Sequence, residues 1–382
     1  MPRRNTFLSI ASAIFLSAFL YLGSQLVLKT ELPLLAKTAG MVFLLVPFLL
    51  VIWLPAVHWN HEGPESAYHQ AMQWAAFTSM GLLSFLLLFC VLRDFVFLSM
   101  LFVPHFRINV YGLSGTFAVM SAALLFFLIG AFFARRTPSV VPVDVFMKNL
   151  PRGLEGFRIA QISDLHIGYA IKKEFVERVV RAVNSLKADA VVLTGDIGDG
   201  EAKLLRDSTE PLSRLESAQG SFYVTGNHEY YWGADDWVSE LKNLKITPLL
   251  GEHRLLEKAG GRLLIAGVAD RSAPHFKPGA IVNPEMALKG APPSDFKILL
   301  SHQPSGVLEA AAAGFDLQLS GHTHGGQFLP WTLFARFFHP YLAGLGRCGK
   351  MWIYVNRGTG YWGPPVRLGS PSEITLLTLR AL

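Results

Sequence analysis

The chain has 382 residues, of which 51% are apolar and only 16% charged, and its mean hydropathy is +0.35. A soluble domain carries about 25% charged residues, so a wholly soluble chain is excluded. The net charge of +6 comes without a Lys/Arg-rich run or an RNA-binding aromatic motif, which points to membrane-flanking cations and away from a nucleic-acid partner. Two cysteines, Cys90 and Cys348, make no disulfide framework.

Ionisable residues are sparse from Thr6 to about Ala134 and ordinary after Arg135. Four stretches in the first part, residues 7–28, 39–57, 71–92 and 110–134, approach the ~20 apolar residues that cross a bilayer core. A fifth, 95–103, is too short to span and reads as interfacial or as an extension of the third helix. Arg3 and Arg4 precede the first stretch, and Arg135 and Arg136 follow the last. Four spans put both ends on one side, and the positive-inside rule assigns that side to the cytoplasm. Lys29, Lys37, Arg93 and Arg107 fall in the opposite loops and weaken the bias. In the rival reading, residues 1–28 are a cleaved export signal, and the soluble part lies on the other face. The polar loop holding His58, His61 and His69 reads as interfacial, with metal binding as the alternative.

Residues 137–142, containing Pro138 and Pro142, read as a linker, and 137–156 as linker and entry to a catalytic domain over 157–382; residues 1–136 form the membrane domain. An α/β alternation follows. Strands are expected at 157–162, 190–193 and 222–224, and helices at 172–186, 202–215 and 234–244. The 172–186 helix places Phe175, Val176, Val179, Val180, Val183 and Leu186 on one face. Strands then dominate: 254–257 and 262–268 flank the turn Ala259-Gly260-Gly261, and 296–300, 317–319, 352–355 and 374–379 complete the set. The fold class is N-terminal all-α transmembrane helices plus a C-terminal α/β domain of two packed sheets covered by helices.

The chemically loaded residues sit just past these strands: Asp164 and His166, Asp196, Asn227 and His228, His302, and His322 and His324. Sites in α/β sheets form outside the carboxyl ends of strands, where distant parts of a chain converge. Asp, Asn and His together suit a metal centre with mixed nitrogen and oxygen ligands. Two metals need a bridging oxygen, and Asp196 after Gly195 offers one. Each motif alone is weak; all five, in this order, are hard to attribute to chance.

The motifs Asp164-Leu-His166, Gly195-Asp-Ile-Gly-Asp199, Gly226-Asn-His-Glu229, Ser301-His302 and Gly321-His-Thr-His324 resemble those of the calcineurin-like metallophosphoesterase superfamily. Their flanks, Ser163–Gly168, Gly226–Tyr231 and Gly321–Gln327, are similar to a bacterial membrane-associated branch. The resemblance covers 157–382 and implies a four-layer α/β/β/α sandwich. It also implies one divalent metal on Asp164, His166, Asp196 and His324, and a second on Asp196, Asn227, His302 and His322. Asp199 would orient a ligand from behind, and His228 would be catalytic, facing the substrate. Two such cations clamp a phosphate and generate a hydroxide near neutral pH. Manganese is the first choice, and iron, zinc or nickel also suit the donors. Arg357 and Arg367 are candidates for binding phosphate or for holding the last strands.

The expected function is hydrolysis of a phosphoester or pyrophosphate, with a lipid-linked substrate suggested by the membrane domain and by residues 328–350. That segment holds Phe328, Trp331, Phe334, Phe337, Phe338 and Tyr341 with Arg336 and Arg347. The alternative is a membrane scaffold or sensor whose metal domain binds without turnover. Oligomeric state is not legible.

Overall fold

The structure, a computed structural model, describes residues 2–58, 66–102 and 109–382, the side chains of 2–12 and 54–58 excepted. The chain divides into two compact units: residues 1–132 with 363–366, and 133–362 with 367–382.

The first unit is helical: α1 (Pro2–Gly23), which continues into a π-helical turn at Ser24–Leu28, then α2 (Leu34–His58), α3 (Ala67–Met100) and α4 (Leu113–Arg135). Among the described residues three helices are long and apolar enough to cross a membrane: Leu34–Trp53, Ala67–Met100 and Leu113–Arg135. Their surfaces stay apolar, with Leu35, Phe43 and Phe117 exposed. This inversion is expected where the surrounding solvent is lipid. Residues 95–100 extend the third helix. Arg93, assigned to a loop, lies inside α3 and is buried. The charge is affordable there because the guanidinium donates to Gln25 O at 2.7 Å and Gln25 Oε1 at 3.0 Å. Beside it Asp94 accepts from Tyr21, Gln25 and Tyr111 at 2.7, 3.1 and 2.8 Å. Of the loop histidines, His61 lies outside the described residues, as does the side chain of His58. His69 sits in the first turn of α3, its backbone N–H donating to the capping Ser66 hydroxyl.

The second unit holds β1 (Ser139–Met147), β2 (Arg158–Ile162), α5 (Lys173–Ser185), β3 (Ala190–Leu193), α6 (Ala202–Thr209), β4 (Ser221–Tyr223), α7 (Asn227–Tyr231), α8 (Ala234–Asn243) and β5 (Ile246–Pro248). It continues with β6 (Glu252–Lys258), β7 (Gly261–Gly267), β8 (Phe296–Leu300), α9 (Val307–Ala312), β9 (Leu317–Ser320), α10 (Trp331–Phe338), β10 (Gly344–Cys348), β11 (Met351–Val355) and β12 (Glu373–Ala381). Two six-stranded sheets form, ordered β1-β12-β2-β3-β4-β5 and β10-β11-β9-β8-β7-β6. Between them lies a core that includes Val145, Ile159, Val192, Phe222, Ile265, Ile298, Leu319 and Leu377. The outer face of the first sheet packs on α5 and α8 through Val176, Val180 and Trp237. The second packs on α9 through Val307 and Ala310. The result is the four-layer α/β/β/α sandwich that the resemblance implies.

Within residues 137–156, read as linker and entry to the catalytic domain, Ser139–Met147 form the edge strand β1, parallel to β12. Pro142 is tolerated because an edge strand has one row of backbone groups that needs no partner. Helix 202–215 is shorter than expected: Pro211 removes a backbone donor, and the chain tightens into a 3₁₀ turn at Glu210–Arg214. The β6–β7 hairpin turns on Ala259 and Gly260, both at positive φ, which matches the right-handed twist of the paired strands.

Candidate metal centre

Strands β2, β3 and β4 are mutually parallel, as are β7, β8, β9 and β11. Asp164, Asp196 and Asn227 therefore leave the carboxyl ends of three strands of one sheet, and His302, His322 and His324 those of two strands of the other. Local backbone then aims them. Asp164, His166, Asp196, His322 and His324 all have positive φ. Such a conformation is uncommon without glycine and marks sites where the surroundings over-determine the chain. Among the described residues, half of the ten non-glycine positions with positive φ are thus expected metal ligands. Gly195 and Gly226 allow the Asp196 and Asn227 loops to touch: a Cβ on Gly195 would lie 2.5 Å from Gly226 N and 2.7 Å from His302 Nδ1.

The donor atoms of Asp164, His166 and His324 lie within 4.8 Å of one another, and so do those of Asp196, His302 and His322. Asp196 Oδ2 is 3.1 Å from His302 Nε2 and 3.8 Å from His166 Nε2, so this carboxylate stands between the two groups. His302 donates from Nδ1 to the carbonyl of Thr194 at 2.7 Å, and His166 donates from Nδ1 to Asp199 at 3.0 Å. Carbonyls and carboxylates only accept, so Nε2 is a bare lone pair whenever these rings are neutral; burial favours that form in His302, but Asp196 beside it holds the ring well above the ordinary histidine range until a cation takes the proton's place. His302 Nε2 faces His322 Nδ1 at 3.3 Å, and His166 Nε2 faces His324 Nε2 at 3.1 Å. Asn227 Oδ1 is buried without a hydrogen-bond partner. Arg367 donates to His324 Nδ1 at 2.9 Å, which leaves the proton of that neutral ring on Nε2, toward His166. The orphaned Asn227 carbonyl oxygen and the carboxylates and imidazoles crowded beside it are costly to bury unless a cation satisfies them. The residues present fit divalent metals.

Charges follow from this crowding. Burial opposes ionisation of Asp196, yet His302, His228 and His166 around it hold its carboxyl well below the usual carboxylate range. Asp199 behaves likewise: it is buried, but His166 and His228 keep it ionised. Burial and the neighbouring Arg367 guanidinium hold His324 well below the ordinary histidine range, in the uncharged form a ligand needs. Burial and His302 push His322 down to about 3.

His228 differs from the other rings. Its Nδ1 donates to Asp199 Oδ1 at 2.5 Å, and its ring lies against Tyr231 and Trp362, centroids 5.2 and 5.7 Å away. Burial would lower its pKa, but Asp196 and Asp199 push it up to about 9. Its other nitrogen is 4.0 Å from Asp196 Oδ2. His228 also shares a 4.8 Å cluster with His166 and Asp196, so distance alone does not separate it from the ligands.

The sequence reading assigned no role to Glu229. Its buried carboxylate accepts from the backbone N–H of Gly226, Asp196 and Ile197 at 2.5, 3.1 and 2.6 Å, stapling the Asn227 loop to the Asp196 loop. Helix position supplied a partial signal: an acid at the third helical position can reach back to the N-cap N–H, as Glu229 does to Gly226, although glycine has no side chain to complete a capping box. Arg367 is 1% exposed, and its donors go to the carbonyls of Arg357, Gly358, Gly360, His324 and Ser370 and to the His324 ring at Nδ1. Arg357 pairs with Glu373 at 2.8 Å. Both arginines sit where they hold the strand-end loops together.

A model of the calcineurin-like phosphoesterase family matches residues 157–326. Over 263 residues the chain is 36% identical to an uncharacterized metallophosphoesterase of Helicobacter pylori strain J99, covering 68% of each. It is 32% identical over 242 residues to the uncharacterized metallophosphoesterase YkuE of Bacillus subtilis, covering 61% of this chain and 82% of that one. To a Bos taurus protein described as a transmembrane protein with metallophosphoesterase domain it is 37% identical over 276 residues, 69% of this chain and 62% of that one. The chain belongs to the calcineurin-like metallophosphoesterase family, and its relatives include both bacterial and animal proteins. It spans 62% and 64% of the lengths of the Bos taurus and Danio rerio relatives it matches.

Proposed function

We propose that the chain is a membrane-anchored hydrolase that cleaves a phosphoester or pyrophosphate bond with two divalent cations. One observation carries this reading: Asp196 stands between two clusters of inward-facing imidazole nitrogens and carboxylate oxygens. One cation would be held by Asp164, His166, Asp196 and His324, and the other by Asp196, Asn227, His302 and His322. Manganese is our first assignment; iron, zinc and nickel suit the same donors. Bound there, the cations supply positive charge to the phosphoryl oxygens and a nucleophile from water. The protein's own contribution is orientation and proton transfer. Asp199 fixes His166 and His228 in the tautomer that leaves Nε2 inward. His228 donates a proton from Nε2 to the leaving oxygen as the P–O bond breaks.

In this reading the N-terminal residues form four spans, with α1 as the first, and the Arg pairs at both ends place the catalytic unit in the cytoplasm, at a bacterial inner membrane. An alkaline-phosphatase fusion after Ala134 should be inactive; activity would reverse the topology. The substrate is lipid-linked, because one span would suffice for tethering. The test is a substrate panel on the full chain in detergent with added manganese. It should compare a lipid-linked phosphoester or pyrophosphate with its deacylated analogue. Metal-dependent hydrolysis with a higher kcat/KM for the acylated form is expected. Equal values remove the lipid, and no turnover of any phosphoester removes the enzyme.

A further inference from the structure

Helix α10 carries its apolar face outward. In an ordinary surface helix the apolar stripe faces the core. Here Thr332 is buried and Ala335 half-buried, while Trp331, Leu333, Phe334, Phe337 and Phe338 are 45, 57, 51, 83 and 77% exposed. At 100° per residue those five side chains occupy one continuous arc, and Thr332 and Ala335 lie outside it. Arg336 is the helix's single charged residue, and it carries no acid. Aromatic side chains with a flanking cation are the composition of a helix lying in a membrane interface.

The helix is also fixed to the candidate metal centre. Its first turn packs on the turn after His324 so closely that a Cβ on Gly326 would lie 2.5 Å from the Cα of Thr332. At its far end the His339 ring stands 6.2 Å from that of His322. The Thr323 hydroxyl, between the two histidines, donates to the Leu342 carbonyl at 2.6 Å. Both ends of α10 therefore brace the loop that carries His322 and His324. The connection is short: α4, apolar and long enough to cross a membrane, ends at Arg135, and β1 begins at Ser139.

We propose that α10 is a membrane-docking helix. Its Trp331, Leu333, Phe334, Phe337 and Phe338 face enters the acyl-chain boundary of a lipid bilayer and seats the His322–His324 loop at the lipid surface. This rests on the phosphoesterase reading for its catalytic consequence, since a seated loop presents the site to head groups. The insertion itself does not depend on turnover.

The experiment reads both separately. Phe337→Cys in the full chain, labelled with an environment-sensitive fluorophore, is reconstituted in phosphatidylcholine vesicles with one third phosphatidylglycerol. Cys90 and Cys348 are buried, and Leu308→Cys on α9, 70% exposed, is the water-facing control. Brominated acyl chains should quench the Phe337 probe at least twofold more than the control, and iodide should quench it less. Equal iodide quenching at both positions would overturn the proposal. Protection from iodide without quenching by brominated lipid would overturn it too, in favour of a protein occupant such as a second copy. In the same vesicles, a Phe334→Glu, Phe337→Glu double variant should keep its rate on a small soluble phosphodiester. It should lose about tenfold on a lipid-borne one. Insertion without hydrolysis of either substrate would sink the enzyme reading and leave the docking helix standing.

Discussion

Two buried polar clusters, one in each unit, show what separates a structural network from a functional one. In the membrane unit Asp94 accepts three hydrogen bonds, and Arg93 donates to both Gln25 oxygens. Nearly every donor there meets an acceptor, and the cluster needs no further occupant beyond a partner for Arg93 Nε. In the second unit the arrangement is reversed. The outer nitrogens of His166 and His302 are spent on Asp199 and Thr194, which turns their inner nitrogens toward His324, His322 and Asp196. The first cluster is closed and stabilising; the second is held open by the fold, at a cost that a bound cation offsets.

Substitutions sharpen this comparison. The largest effect should come from Asp196→Asn, which removes the carboxylate both ligand groups share. Elemental analysis should show loss of at least one metal, together with nearly all turnover; unchanged occupancy and rate would remove the bridge. His228→Asn comes next. It should retain metal while activity falls by roughly 10²–10⁴, the usual worth of a general acid or base. If metal content fell in step with rate, His228 would be a ligand, as its place in a 4.8 Å cluster permits. Asp199→Asn weakens the group that orients two imidazoles, and metal affinity should drop by about 10–100-fold in a competition titration with a chelator. No change would mean that packing alone positions His166. The smallest effect belongs to the closed cluster: Tyr21→Phe removes one bond to Asp94. It should cost on the order of 0.6 kcal/mol, a typical side-chain hydrogen bond in a membrane, in reversible detergent unfolding, with hydrolysis per folded molecule unaltered.

The open cluster was legible because each motif follows a short apolar run. Phe296–Leu300 before His302 and Leu317–Ser320 before His322 declare both the strand and the residue at its end. Tertiary partners were not legible. β1 pairs with a strand more than 200 positions away, so nothing local marks the proline-containing 137–142 stretch as the start of a strand. Arg93 looked like a loop charge because the residues that satisfy it, Gln25 and Thr116, lie on other segments. Glu229 carried a capping signal, but the loop it staples comes from another strand end. The apolar stripe of α10 has ordinary helical spacing, and only the fold shows that it points outward.

The central claim is that Asp196 joins two cation sites, and metal stoichiometry tests it most directly. Full-length protein, stripped with chelator and reloaded with manganese in detergent, should bind two ions per chain, and a His302→Ala, His322→Ala double variant should bind one. A wild-type value of one, or a double variant that still binds two, would contradict the account.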